Sequence, residues 1–398
     1  MTGRSVAVII SGFFTVAMAY GIRYGYGMLL PEMLPEWGIS KAQAGIVYTA
    51  YFITYTIFTP LLGALSDRFD NRVILASFTT ILACGALLMP LADGVVTAGL
   101  FFSVAGLGHA ACWAPVMALV QRWVPEKRKG MVLSIVGMGV GLSIPLWSFL
   151  LPIIVAAYDW RAGWGCMGIS GMGVAVLNAV LVRNPPVAAA DKTAIRGNPF
   201  TGNETAYREL FRQKPLWIIG FSYLMIGFNV MIPFSFVSVY AREALLLSYA
   251  AATRFVAVIA TVGIFSQLTL GLLSDIFGRI RMLICCAIFM AVGCLGASLS
   301  ASAWALYASM AVYGMGYGAV WPLYAAAASD FFPKNRAGSV VGIWTVFVGG
   351  GFVVAPVLGG WVIDTTGSYF WTFLMGTTSG VVSALLLTPM IRGVMRDA

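Results

Sequence analysis

Charge is what this sequence has least of. Only 10% of its 398 residues are Asp, Glu, Lys or Arg, against roughly 25% in a soluble domain. A chain that is 60% hydrophobic lacks the polar groups to cover a water-exposed surface, so the solvent for most of it is lipid. That apolar content also excludes disorder. Histidine is nearly absent: His109 stands alone. The six cysteines (Cys84, Cys112, Cys166, Cys285, Cys286 and Cys294) all fall in apolar runs, with no CxxC and no cysteine–histidine cluster. This speaks against a metal site. No GxxxxGK[ST] phosphate cradle occurs, so nothing supports ATP-driven work. The lone histidine has no acid near it in sequence, so no nucleophile–histidine–acid set is available. The expectation is a non-enzyme, with no catalytic residue, cofactor or metal.

What is present is a series of long apolar runs. A helix crossing a bilayer needs about 20 apolar residues. Runs of that kind fall at 5–30, 42–64, 73–91, 96–121, 131–157, 164–183, 215–240, 250–273, 281–299, 303–329, 338–362 and 370–391. The first is too long for the apolar core of a cleaved signal peptide, and more follow it. The 45 glycines suit helices that pack closely within a membrane. One long polar stretch, 184–214, holds Asp191, Lys192, Arg196, Glu204, Arg208, Arg212 and Lys214. It divides the chain into an N-terminal half, 1–183, and a C-terminal half, 215–398, of six spans each.

The net charge of +9 sits in short loops, where membrane orientation explains it better than nucleic acid does. With twelve spans both termini share a side. That side carries 19 Lys and Arg, including Arg4, Arg122 and Arg281; the opposite loops carry three, Lys41, Arg161 and Arg242. The positive-inside rule therefore puts the termini and the linker in the cytoplasm, in a multi-pass protein of the cell (inner) membrane, expected to act as a monomer.

The two halves repeat. Gly63–Ala64–Leu65–Ser66–Asp67–Arg68–Phe69 returns 208 positions later as Gly271–Leu272–Leu273–Ser274–Asp275–Ile276–Phe277. At the same offset Gly106, Gly108, Trp113, Pro125, Arg128 and Gly130 return as Gly314, Gly316, Trp321, Pro333, Arg336 and Gly338. Duplicated membrane halves mark many secondary transporters, which hold substrate near the midplane between them.

The segment GALSDRFDNR, Gly63 to Arg72, resembles the signature loop between the second and third helices of the major facilitator superfamily. GLLSDIFGRIR, Gly271 to Arg281, resembles its second copy. The resemblance extends over the whole chain and implies twelve helices in two pseudo-symmetric halves, working by alternating access. It also implies that Asp67, Arg68, Arg72, Asp275 and Arg279 belong to a cytoplasmic gate. The second copy departs at Ile276, where an arginine is expected. Plain anchoring by positive charge accounts for the arginines but not for the repeated aspartates, which sit where a carboxylate can meet the next helix's N-terminal dipole.

Ionisable side chains inside a span are costly and point to function. The acids Glu32, Asp67, Asp159, Asp275, Asp330 and Asp364 lie at span ends or in loops, which leaves Arg23, His109 and Arg254. A guanidinium suits an anion, above all a carboxylate bound through two parallel hydrogen bonds. The alternative for Arg23 is snorkelling to headgroups. Arg23 opens RYGYGMLLP, with Tyr24 beside it and Pro31 eight residues on. This resembles the first span of organic-anion carriers for sialic acid, hexuronate and glutamate, and of sugar-phosphate antiporters, where that arginine binds the substrate anion. Ile22 stands where the anion:cation symporters often carry an aspartate.

His109 lies 14 residues before Trp123, in a place resembling that of a membrane glutamate of anion:proton symporters. Histidine titrates near neutrality and can carry a proton; a neutral, hydrogen-bonded histidine is the alternative. Its repeat partner is Tyr317. The stretch after His109 also resembles the monocarboxylate and oxalate–formate carriers, but the arginine they carry in the eighth span is here Gln267. Arg254 reads either as an interfacial anchor or as an outer attractor of anions. Tyr20, Tyr48, Tyr51, Tyr55, Trp113, Asn229, Trp321 and Trp344 are candidates to line a cavity.

The expected substrate-binding set is Arg23, Tyr24, Tyr20, His109, Trp113, Asn229, Gln267, Tyr317 and Trp321, with proton coupling at His109. The expected function is secondary transport of a small organic anion, by proton symport or anion exchange. Proton-driven efflux of drugs or metabolites is the alternative, although a cationic cargo would want an acid in the cavity. A membrane sensor that binds ligand without moving it is a third reading.

Overall fold

The computed structural model describes residues 3–66, 69–125, 128–184, 209–333 and 336–391. Among the described residues the regular structure is helical, with no strand. The first half runs α1 (Gly3–Trp37), α2 (Lys41–Ser66), α3 (Asn71–Leu88), α4 (Val95–His109), α5 (Ala114–Trp123), α6 (Lys129–Ala157) and α7 (Trp160–Leu181). The second runs α8 (Lys214–Glu243), α9 (Tyr249–Phe277), α10 (Arg279–Leu299), α11 (Ala303–Phe331), α12 (Ala337–Thr366) and α13 (Tyr369–Leu387).

Eleven helical stretches are long and apolar enough to cross a membrane, the stretch Val95–Trp123 counting as one. The twelfth, α11, has 29 residues. Its tyrosines and glycines dilute its hydropathy without shortening it. The architecture is all-α, with twelve membrane-spanning helices in two six-span halves. Several helix starts are capped by side chains: Asp159 accepts from Ala162 N–H, and Ser248, Ser302 and Ser368 open α9, α11 and α13 in the same way. These caps occupy N–H groups that a helix start leaves without an internal partner.

The 96–121 run was expected to be one unbroken helix. It breaks between His109 and Ala114, where tighter turns replace the α-helical ladder: Cys112 N–H bonds His109 O at 2.8 Å and Ala111 N–H bonds Gly108 O at 3.4 Å. Pro115 is the cause. It has no N–H to give Ala111 O, and its ring crowds that carbonyl.

The repeated Gly-x-Gly has one physical job in each half. A Cβ on Gly106 would meet Tyr51 O of α2 at 2.3 Å, and one on Gly108 would meet Leu82 N of α3 at 2.2 Å. In the second half the corresponding atoms on Gly314 and Gly316 would meet Ile259 O of α9 at 2.8 Å and Cys286 O of α10 at 2.3 Å. Each pair lets its helix lie backbone-to-backbone on two neighbours at once, which any side chain would prevent.

By contact the chain forms two compact units. The first comprises Met1–Gly25, Ala50–Trp147 and Ile154–Ala206; the second comprises Tyr26–Thr49, Ser148–Ile153 and Tyr207–Ala398. In the first unit, Asn178 of α7 accepts from Ser11 and Thr15 of α1 and donates to Thr79 of α3 at 3.0 Å. That buried knot joins three helices through side chains that lipid could not satisfy.

Candidate functional site

The site lies wholly in the first unit and is assembled from α1, α2 and the end of α4. Arg23 is 2% exposed. Its guanidinium carbon lies 5.4 Å from the ring centre of Tyr20, 5.2 Å from Tyr24, 4.7 Å from Phe52 and 5.6 Å from Tyr55. Tyr20 and Tyr24 come from the same helix as Arg23. Phe52 and Tyr55 come from α2, where Tyr48, Tyr51, Phe52 and Tyr55 recur at helical spacing and share one stripe. The rings turn their electron-rich faces toward a cation, each contact worth about 0.5–2 kcal/mol when desolvated. Among the described residues no Asp or Glu is buried, whereas Arg23 and His109 are. The buried charge of this region is therefore positive.

His109 is fully enclosed. Its Nδ1 is hydrogen-bonded to the Tyr51 hydroxyl. Its ring stands edge-on to Tyr20 at 4.9 Å and to Tyr55 at 5.0 Å. Tyr20 and Tyr55 therefore touch both the guanidinium and the imidazole. Trp113, within the break after His109, packs edge-on against Tyr20 at 5.8 Å. Tyr51 in turn stacks on Phe102 at 4.5 Å, and Phe102 meets Trp164 at 5.6 Å. Arg23, His109, Tyr20, Tyr24 and Trp113, chosen from the sequence, thus form one cluster. Phe52 was not singled out, although the aromatic stripe of α2 was visible.

The remaining expected residues lie in the second unit. Tyr317 is flanked by Phe234 at 5.0 Å and Trp321 at 5.9 Å, and Trp321 meets Phe352 at 6.3 Å. Asn229 is buried, its amide donating to Gly376 O at 2.6 Å. Trp344 donates to Leu216 O at 2.8 Å, and Tyr48 packs on Tyr26 at 4.8 Å. These polar contacts tie helices together. Gln267 and Arg254 are exposed on α9.

Of the gate residues, Asp67 and Arg68 lie outside the described residues. Arg72 donates to Ala179 O of α7 at 2.5 Å. Arg279 forms an ion pair with Asp330 of α11 and also donates to Ala326 O at 3.2 Å, while Asp275 is exposed. The carboxylate on Arg279 thus comes from α11. Arg336, the repeat partner of Arg128, pairs with Glu209 at 3.1 Å.

The model of the Major Facilitator Superfamily matches residues 12–272 and 255–394. The chain is 22% identical to the hexuronate transporter of Bacillus subtilis, over 98% of this chain and 95% of that one. It is 24% identical to the gentisate transporter of Corynebacterium glutamicum, over 98% and 88%. Among solved structures, a bacterial homolog of the human lysosomal transporter Spinster, inward-facing and occupied, superposes with a TM-score of 0.80 at 14% identity, covering 100% of this chain and 99% of that one; this likeness concerns the fold alone. With nearly its whole length matched and twelve spans in two repeated halves, the chain belongs to the Major Facilitator Superfamily of membrane transporters.

Proposed function

We propose that this protein carries a small organic anion across the membrane by alternating access, with Arg23 as the anion anchor and His109 as the proton carrier. The observation that supports the reading most is the pairing of two facts: an arginine buried among aromatic rings, and no buried carboxylate among the described residues. A guanidinium held this way offers a planar fork to a carboxylate or sulfonate and a π-rich surface to its organic body. The relatives named for hexuronate and gentisate carry organic acids of that kind.

His109 and Arg23 contact the same two rings, those of Tyr20 and Tyr55. A second positive charge beside the guanidinium is opposed until an anion arrives between or beside them. Anion and proton then favour each other's presence, which is the thermodynamic content of symport. Moving an anion alone against a negative-inside potential costs about 2.3 kcal/mol per charge per 100 mV, and a co-moving proton cancels one charge. Direct exchange of one anion for another needs no such proton. The absence of a buried acid among the described residues weighs against efflux of cationic compounds.

The same reading puts the termini and the 184–214 stretch on the cytoplasmic side of the cell membrane. A cysteine at position 190 is then labelled by impermeant maleimide only after permeabilisation, and labelling in intact cells would overturn that orientation. The substrate reading is tested by thermal-shift screening against organic anions, followed by counterflow in proteoliposomes. Arg23→Lys keeps the charge but loses the fork, so an anion that stabilises the parent should stabilise it at least tenfold less tightly. Unchanged affinity in both Arg23→Lys and Arg23→Ala would sink the assignment.

A further inference from the structure

The start of α2 has its N–H groups accounted for by two different sources. Ser40 accepts from Gln43 N–H at 3.2 Å while Gln43 Oε1 accepts from Ser40 N–H at 2.9 Å, a reciprocal local cap. The two N–H groups this leaves, on Lys41 and Ala42, go to a residue more than three hundred positions away. Asp364, near the end of α12, accepts Lys41 N–H on Oδ1 at 3.0 Å and Ala42 N–H on Oδ2 at 2.8 Å. A carboxylate on two N–H groups at a helix start is favoured by hydrogen bonding and by the helix dipole together.

The contact continues along both helices. A Cβ on Gly360, one turn before Asp364, would meet Lys41 O at 2.3 Å, and a Cβ on Gly45 would meet Pro356 O at 2.4 Å. One further turn in, Thr49 donates to Val353 O at 2.5 Å. Beside this seam Lys41 pairs with Glu243 of α8 at 3.0 Å, and Tyr369 of α13 donates to the same carboxylate at 2.7 Å. All of these residues belong to the second unit, which takes in residues 26–49 of the first two helices.

We infer that Asp364 is a detachable cap, and that the α2–α12 seam is the latch closing the end of the transporter opposite its termini. The inference rests on the alternating-access part of the proposed function. A helix of one half and a helix of the other cannot stay joined at one end through a cycle that opens that end. The seam is built to part. It joins glycine faces and main-chain carbonyls, and its charge-assisted bonds are of a kind that water replaces when they open. Ser40 and Gln43 travel with α2 and preserve the helix start when Asp364 leaves. The family resemblance implies gating at the loops after α2 and α9; this latch lies at the other end of α2.

The test is the maleimide labelling rate of a Thr49→Cys reporter beneath the latch, read by mass spectrometry of its peptide in the full-length protein in proteoliposomes. Asp364→Ala should raise that rate about fivefold or more, because the closed population falls when its own contacts are lost. Asp364→Asn, which keeps one acceptor and the shape, should give an intermediate rise and covers the case of an unstable alanine variant. In Ala42→Cys/Asp364→Cys, oxidation should suppress labelling at Thr49→Cys and reduction should restore it. Parent-like labelling in both Asp364 variants would overturn the latch. So would full labelling of the oxidised double variant. None of these measurements uses a substrate, so the latch can fail while the anion reading stands, and the reverse.

Discussion

The hydroxyl of Tyr51 is hydrogen-bonded to Nδ1 of His109, and both side chains are fully buried. The direction of that bond in the neutral ring follows the tautomer, whereas in the protonated ring both nitrogens donate and the tyrosine accepts. Tyr51→Phe removes that partner. We expect it to alter the pH profile of uphill uptake while leaving anion–anion exchange within about threefold, an effect of about 0.7 kcal/mol. Matching pH profiles in parent and variant would exclude Tyr51 from the coupling.

His109→Gln keeps a hydrogen-bonding side chain of similar reach but cannot carry a proton. Proton-driven accumulation should fall to the equilibrium distribution, and exchange of labelled for unlabelled substrate should persist. Uptake measured with an imposed pH gradient, then with internal substrate and no gradient, separates the two. Uphill accumulation at the parent level by His109→Gln would remove the histidine from the mechanism.

Gly108→Ala tests whether the backbone approach of α4 positions the site. The added methyl would meet Leu82 N at 2.2 Å and Phe78 O at 2.6 Å, both main-chain atoms that cannot rotate away. A stability loss of about 1–3 kcal/mol is expected from such overpacking, seen as a lowered melting temperature in detergent. Gly130→Ala is the control, since nothing lies within 4 Å of its added Cβ. Equal melting temperatures for the two variants would contradict the close approach.

The Arg279–Asp330 pair is partly solvent-exposed, with side chains 30% and 38% accessible. Breaking such a pair should cost folding stability less than about 1 kcal/mol. If it acts in the gate, the consequence appears in turnover instead. Arg279→Ala and Asp330→Ala should change the exchange rate in the same direction, and the double variant should differ little from either single one. Additive effects of the two substitutions would show that the residues act separately.

Alternation of apolar runs with basic loops was enough to determine the membrane solvent, the span count and the helix class, because a lipid environment leaves a chain few other ways to satisfy its backbone. The 208-residue offset exposed the duplication, and the scarcity of ionisable residues inside the spans singled out Arg23 and His109. The break after His109 was written in Pro115, although apolar periodicity alone ran straight through it. Three relationships needed the tertiary structure: the Phe52 and Tyr55 rings around Arg23, the Tyr51 hydroxyl on His109, and the carboxylate of Asp330 on Arg279. Periodicity along one helix reports which residues share a face. It carries no record of which other helix that face meets, or at what height. That choice was made by the contact of one helix with another, through backbone approaches such as Gly106 on Tyr51 and Gly108 on Leu82. Asp364 on the first turn of α2 is the extreme case. Its sequence neighbours describe only a helix end, and its partners are two main-chain N–H groups that every residue but proline possesses.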